Sequence, residues 1–271
     1  MIFFIVVALG SYTALVGVMF LQQRQLIYFP DTHLPSPTAA GLPEMRQVSV
    51  TSEDGLKLSA WFHPAKQDQP TLVFFQGNGG NISGRGFKAR HYMDAGFGVL
   101  LVGYRGYGGN PGKPSEQGLY MDGRGHLDFL NGEGVRPGQW VLYGESLGTG
   151  VAVQLAMELA TKSPVGAVVL EAPYTSLGDV AAKHYPYIPA RHLVSDRYDS
   201  ISKIGKIRAP LFIVQGEMDG VIPVEQGKKL LDAAIGTKEA LWVKGGGHNN
   251  LYEFGIAEVI LKFVGKYLPN R

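Results

Sequence analysis

The chain has 271 residues, with 25 Lys and Arg against 23 Asp and Glu, seven His and no cysteine. A net charge of +2 gives no field of the kind that gathers nucleic acid, so a nucleic-acid partner is set aside. The lack of cysteine removes disulfide scaffolds, thiolate metal sites and cysteine nucleophiles together, and covalent chemistry would then fall to a serine.

The first 30 residues stand apart from the rest. From Ile2 to Leu21 there is no Asp, Glu, Lys, Arg or His, and a run of roughly 20 mostly apolar residues is what a helix needs to cross a bilayer's hydrocarbon core. A cleaved signal peptide would want a basic start, a shorter apolar core and a small-x-small cleavage site. A helix buried in a soluble core would keep a polar stripe. The expectation is a single-pass N-terminal membrane anchor over 1–30. Gly10, Ala14 and Gly17 share one face of that helix, where small residues permit close helix approach but are also common without it. Gln22-Gln23-Arg24-Gln25 and then Leu26-Ile27-Tyr28-Phe29-Pro30 read as a polar collar and an aromatic stretch near the interface. Arg24, the only basic side chain nearby, would favour a cytoplasmic location for the rest of the chain. The export usual for a long domain argues the other way, and the side stays open.

Beyond the Pro-rich link at 34–37, a second domain is expected over 31–271. Apolar runs bounded by Gly and Pro alternate there with helix-like intervals, the pattern of an α/β fold with a mainly parallel sheet covered on both faces. The runs 48–51 and 56–62 flank Glu53-Asp54-Gly55 and predict an opening hairpin. Six further runs, at 72–75, 98–102, 141–143, 167–170, 211–214 and 240–243, suit strands buried on both faces and bring the sheet to eight strands. Between 172 and 209 the alternation breaks, and Tyr185-Pro186-Tyr187-Ile188-Pro189 interrupts any long helix; this interval is read as a small lid. In such sheets ligands bind beyond the carboxyl ends of the strands, so the loops there are where chemistry is sought.

The run 141–143 leads directly into Gly144-Glu145-Ser146-Leu147-Gly148, and 151–159 then reads as a helix. Strand, sharp turn and helix in that order present a serine Oγ above the sheet, with the helix N-terminus positioned to stabilise negative charge. As a bare pattern Gly-x-Ser-x-Gly is common, and a glycine-rich turn would explain it. A serine nucleophile also needs a histidine to take its proton and an acid to orient that histidine. His248 follows the last strand in Gly245-Gly246-Gly247-His248-Asn249-Asn250, and Asp219 follows the strand at 211–214 in Glu217-Met218-Asp219-Gly220. Alone, each reads better as an ordinary turn or loop residue. Together with Ser146 they form a triad in the order Ser, Asp, His. Glu217 and Glu171 are the competing acids. The backbone N–H of Leu147 and that of Asn78, in the glycine loop Gln76-Gly77-Asn78-Gly79-Gly80, are the candidate oxyanion donors. That loop lacks the Lys spacing of a phosphate-binding loop. His91, His126, His184 and His192 fall in expected helices or the lid, with no metal-ligand spacing, so neither a metal nor a cofactor is expected. Arg105, beside Tyr104 and Tyr107, reads as a loop-holding residue, with recognition of an anionic head group as its rival.

The run Tyr104-Arg105-Gly106-Tyr107-Gly108-Gly109-Asn110-Pro111-Gly112, then Pro114-Ser115-Glu116, together with the Ser146, Asp219 and His248 loops, resembles the bud-emergence-type branch of the α/β-hydrolase superfamily. The likeness extends from Gln25-Leu26-Ile27-Tyr28-Phe29-Pro30 through Ala172-Pro173-Tyr174-Thr175-Ser176-Leu177. It implies an α/β-hydrolase fold, an N-terminal membrane anchor, and Ser146, Asp219 and His248 as catalytic residues. Relatives of that branch include depalmitoylases and lysophospholipid lipases. A small acyl ester, a lipid or an acylated protein is therefore the implied substrate, for a serine esterase or lipase or, alternatively, a depalmitoylase-like thioesterase. A non-catalytic membrane-anchored binding protein with the same fold is the rival from another class. Gln76 and Gln215 stand where the branch often has His before Gly, which bears on loop packing and specificity rather than on the triad.

Overall fold

In the computed structural model, which describes residues 1–268, the expected apolar runs become one eight-stranded sheet. Its strands are β1 (Arg46–Thr51), β2 (Lys57–His63), β3 (Thr71–Phe75), β4 (Gly98–Leu101), β5 (Trp140–Glu145), β6 (Ala167–Glu171), β7 (Leu211–Gly216) and β8 (Lys238–Val243). The spatial order is β8-β7-β6-β5-β3-β4-β2-β1. The β1–β2 hairpin forms as the turn residues require, β2 also pairs antiparallel with β4, and every other pairing in the sheet is parallel. Several strands extend beyond their apolar runs, two of them by opening on a pair of polar residues. β1 begins at Arg46 and Gln47, and β8 at Lys238 and Glu239. Both are edge strands, whose ends tolerate polar side chains that a search for apolar runs passes over.

The interior strands β3, β4, β6 and β7 are buried throughout. Alternate side chains therefore feed two cores. Val73, Phe75 and Leu142 point toward the face covered by α3 (Glu116–Gly132), α4 (Leu147–Leu159) and α7 (Val224–Ala233). Leu72, Phe74 and Tyr143 point toward the face covered by α2 (Gly86–Asp94) and α8 (Ile256–Tyr267). Arg105 settles in the first of these regions as a structural residue: its guanidinium donates to Asp122, Asp54 and Ser52 at 2.7–3.0 Å. With its donors committed, it holds the 104–112 loop rather than presenting a cation to a ligand.

The segment between β6 and β7 carries α5 (Leu177–His184) and α6 (Ala190–Leu193). Its two shoulders, Tyr174 and Tyr198, are fully buried against α4, whereas Tyr187 between the helices is 60% exposed. The N-terminal helix α1 (Ile2–Ile27) has no buried residue and is long and apolar enough to cross a membrane. It does not project freely along its whole length. Val16, Met19, Gln23 and Ile27, which recur at helical spacing on one face, are half-buried, and the chain continues through Phe29–Pro30 into a short parallel pairing with Gly79–Gly80. Gly10, Ala14 and Gly17 lie on the opposite side of the helix, with nothing within 4 Å of a Cβ at either glycine.

Candidate active site

The site is assembled at the carboxyl ends of β3, β5, β7 and β8. β5 runs into α4 through Ser146, whose backbone adopts φ 49° and ψ −116°, a region that non-glycine residues occupy only when their surroundings enforce it. Here the enforcement is visible: Ser146 N–H donates to Glu171 O at 2.8 Å, and Thr149 Oγ1 donates to Ser146 O at 2.6 Å. The flanking glycines are dictated by space. A Cβ on Gly144 would stand 2.5 Å from Thr149 Cα, and one on Gly148 would stand 2.0 Å from Phe75 O. Only a bare backbone lets strand and helix close this tightly around the serine.

Asp219 and His248 come from the loops after β7 and β8, whose parallel pairing runs the full register from Lys238↔Leu211 to Val243↔Gly216. The two loops are then laced together by Glu217 N–H to Val243 O at 3.0 Å and Met218 N–H to Gly246 O at 2.9 Å. Asp219 Oδ1 accepts from the N–H groups of Val221 and Ile222, both at 2.8 Å. Its other oxygen, Oδ2, stands 2.7 Å from His248 Nδ1, and His248 Nε2 stands 3.0 Å from Ser146 Oγ. The structure therefore brings the three sequence-singled residues into one chain of contacts. With Nδ1–H donating to the carboxylate, Nε2 carries the lone pair that faces the serine hydroxyl. Asn250 Oδ1 accepts from Gly247 N–H at 2.8 Å and sets the turn that carries His248.

The rival acids are elsewhere. Glu217 is exposed on the loop. Glu171 lies buried behind the elbow, accepting from Lys88 Nζ at 2.9 Å and from the hydroxyl of Tyr143. Lys88 Nζ also donates to Glu145 at 2.8 Å, and Arg85 donates to the same carboxylate at 2.8 Å. Burial pushes the Glu145 carboxyl up, but Lys88 and Arg85 outweigh it and hold it at about 2. Glu171 goes the other way, because its complete burial exceeds the pull of Lys88. This buried cluster beneath Ser146 had no sequence signal: Lys88 and Arg85 lie in an ordinary-looking amphipathic stretch, where a charge reads as solvated.

The N–H groups of Leu147 and Asn78 donate to no acceptor among the described residues. Asn78 is fixed by its other groups: its carbonyl accepts from Phe29 N–H at 2.9 Å and Tyr107 Oη at 2.8 Å, and its side-chain amide donates to Ile27 O at 2.8 Å. Tyr107, from the 104–112 loop, thus supports the Asn78 loop, a role the sequence did not reveal. Gln215 is fully buried and donates to Ile222 O at 2.8 Å, bracing the loop that carries Asp219. Gln76 is equally buried, and its backbone carbonyl accepts from Tyr104 Oη at 3.3 Å.

Ser146 and His248 open into a cavity of about 730 Å³, within the usual range for a small-molecule site. Its floor is polar, with Asn78, Arg85, Glu145 and Asn249; its walls, supplied by α5, α6 and α1, are mainly apolar, with Gln23 and His184 as polar exceptions.

No protein-family profile matches the chain. Individual relatives do. An uncharacterised protein of Mycobacterium tuberculosis is 41% identical over 251 residues, covering 90% of this chain and 88% of its own length. The α/β hydrolase domain-containing protein 17B of Xenopus laevis is 33% identical over 206 residues, covering 74% and 68%. Protein bem46 of Schizosaccharomyces pombe is 29% identical over 226 residues, covering 78% and 74%. Among solved structures, an esterase of Pyrococcus furiosus superposes with a TM-score of 0.71 at 18% identity, covering 89% of this chain and 98% of the esterase. The fold and these relatives together define an α/β hydrolase. The chain belongs to that family, and its bem46 and domain-containing 17B relatives match the branch that the 104–112 run and the three loops resemble.

Proposed function

We propose that the protein is a serine hydrolase of carboxylic esters or thioesters. Ser146 would be the nucleophile, His248 the general base and Asp219 the group that orients the imidazole. The observation that carries this reading is the position of His248, 3.0 Å from Ser146 Oγ through Nε2 and 2.7 Å from Asp219 Oδ2 through Nδ1. Ser146 Oγ attacks the acyl carbonyl as its proton passes to Nε2. The carbonyl oxygen becomes an oxyanion, held by the N–H groups of Leu147 and Asn78. Collapse expels the alcohol or thiol, which takes the proton from His248. Water then attacks the acyl-enzyme with His248 again as base, releasing the acid and restoring the serine.

Residues 1–30 act as a retained membrane anchor and 31–271 as the catalytic domain, with 172–209 as its lid. Retention, rather than cleavage as a signal sequence, is favoured by the part α1 takes in the site: Val16, Met19 and Ile27 line the cavity, and removing them would unmake its wall. The large apolar side chains on the remainder of α1, such as Phe3, Phe4 and Leu9, are exposed to an extent that calls for lipid around them. Lipid esters and acylated proteins are then the natural substrate classes, with a depalmitoylase-like thioesterase as the narrower form of the same chemistry.

A fluorophosphonate probe tests the reading on the full-length protein in detergent. Covalent labelling that disappears in Ser146→Ala is expected. A protein that stays unlabelled, or labelling that survives the substitution, would sink the hydrolase in favour of a binding protein that keeps the fold.

A further inference from the structure

The apolar end of the cavity is not made by the catalytic domain alone. α1 contributes Val16, Met19, Phe20 and Ile27 to its lining, facing Leu177, Val180 and Ile188 from the α5–α6 segment, and the same cavity includes Ser146 and His248. The two walls are fastened at several heights. Tyr12 Oη donates to Tyr187 O at 2.9 Å, Gln23 Oε1 accepts from Ser195 N–H at 2.7 Å, and Arg24 pairs with Asp196 at 3.0 Å. Closest to the serine, Ile27 O accepts from the side-chain amide of Asn78 at 2.8 Å, so the helix end is tied to the loop that would supply the oxyanion donor.

Resting on the hydrolase reading, we infer that α1 is a wall of the acyl-chain subsite, with a long acyl chain lying between α1 and α5–α6 while its carbonyl reaches Ser146. Two features select a long acyl chain over other occupants. The wall from Ile27 to Val16 covers 11 helical steps, about 17 Å at 1.5 Å per residue, and its side chains are apolar apart from Gln23 near the serine end. Val16, Met19 and Phe20 also belong to the uncharged run of α1. The far end of the cavity is therefore bounded by the part of the helix expected to lie in lipid, and the near end by the polar triad. An acyl chain drawn sideways from the bilayer keeps its methylenes in mainly apolar surroundings, and only the ester or thioester has to rise to the serine. The anchor is then a specificity element, and its removal changes chain-length preference as well as location.

The test uses a matched pair in the full-length protein. Val16 faces the cavity, whereas Val18, two residues on, points about 160° away around the helix and is 53% exposed. Val16→Phe should lower kcat/KM for palmitoyl and lauroyl esters at least tenfold more than for the butyryl ester, the effect of denying burial to about two methylenes. Val18→Phe should leave the whole series within about twofold. Equal responses of the two variants at every chain length would overturn the subsite while leaving the hydrolase reading intact. If Val16→Phe loses all turnover together with fluorophosphonate labelling, Val16→Ala decides: it should shift preference toward longer chains, and an unchanged preference overturns the proposal. Absence of Ser146-dependent labelling in the wild type removes the hydrolase reading and the subsite with it. Running the pair on a palmitoyl monoglyceride and on an S-palmitoyl peptide, each in phosphatidylcholine vesicles, identifies whether lipid or protein supplies the chain.

Discussion

Glu145, the residue immediately before the proposed nucleophile, shares its carboxylate with Lys88, whose ammonium lies 2.8 Å away in a nearly closed environment. The pair stands under the elbow, so its titration bears on stability rather than on proton transfer. Glu145 is held at about 2 against an ordinary 4.5. A depressed carboxyl stabilises the fold fully above its unfolded value and loses that contribution as pH falls toward the folded one. The window is thus from about 4.5 down to 2, and the contribution at neutral pH is on the order of 3 kcal/mol. Glu171, raised by burial, has the opposite sign: protonation favours its folded form, so it offsets part of the acid loss. Glu145→Gln should melt below the wild type at neutral pH, with the gap closing as pH drops through this window. A gap that stays constant from neutral pH to the acid limit would contradict the assignment of the shift to Glu145.

Gly148→Ala should be the most damaging small change in the elbow. Its Cβ would meet the main-chain oxygen of Phe75 at 2.0 Å, with Phe75 C at 2.5 Å and Gln76 O at 2.7 Å, and none of these is the end of a flexible side chain. Either α4 moves away from β3 or the variant fails to fold, a cost of about 4 kcal/mol or more. Melting temperature and soluble yield report it. A variant that melts with the wild type would show that the close approach is not needed.

Much of this arrangement was legible because the elements that make it are punctuated by their own chemistry. Strand–Gly-x-Ser-x-Gly–helix announces a turn that only glycines permit, and Asp219 and His248 each follow an apolar run at the end of which a loop must emerge, although the run before His248 proves to be a half-buried edge strand rather than one buried on both faces. Lys88 and Glu145 were not legible, because nothing local to either residue says that they meet across 57 positions of sequence. Their pairing is set by how α2 lies under the end of β5. The same holds for α1. Its composition reads as a uniform apolar helix, and the face at Val16, Met19 and Gln23 is distinguished only by what stands opposite it, the α5–α6 segment.

Asp219→Asn should separate orientation from architecture. Asn Oδ1 can still accept from the N–H groups of Val221 and Ile222, so the loop keeps its two anchoring bonds at 2.8 Å. The amide nitrogen would then face His248 Nδ1, forcing the hydrogen onto Nε2, where it can no longer accept from Ser146 Oγ. The expected result is a fall in kcat of roughly 10⁴-fold with a melting temperature close to that of the wild type, and a parallel slowing of fluorophosphonate labelling. Retention of full activity would move the orienting role to another acid.

Asp196 provides the last test, because it joins α1 to the segment that covers the site. Its carboxylate is buried, yet it accepts from Arg24 Nε at 3.0 Å and from Tyr28 Oη at 3.0 Å, and the same tyrosine contacts Tyr198 Oη at 3.0 Å. Tyr28→Phe leaves the ring packed but strips one of the donors from a buried charge, a loss of about 2 kcal/mol. Arg46→Ala, which breaks the far more exposed pair with Glu133, should cost under about 1 kcal/mol. The discriminating measurement is limited proteolysis between Tyr187 and Asp196. Tyr28→Phe should expose this stretch to cleavage while Arg46→Ala does not, because only the former weakens the clamp between α1 and the α5–α6 segment. Equal resistance in the two variants would mean that Asp196 is held adequately by Arg24 alone, and that the helix and its cover move together without the tyrosine.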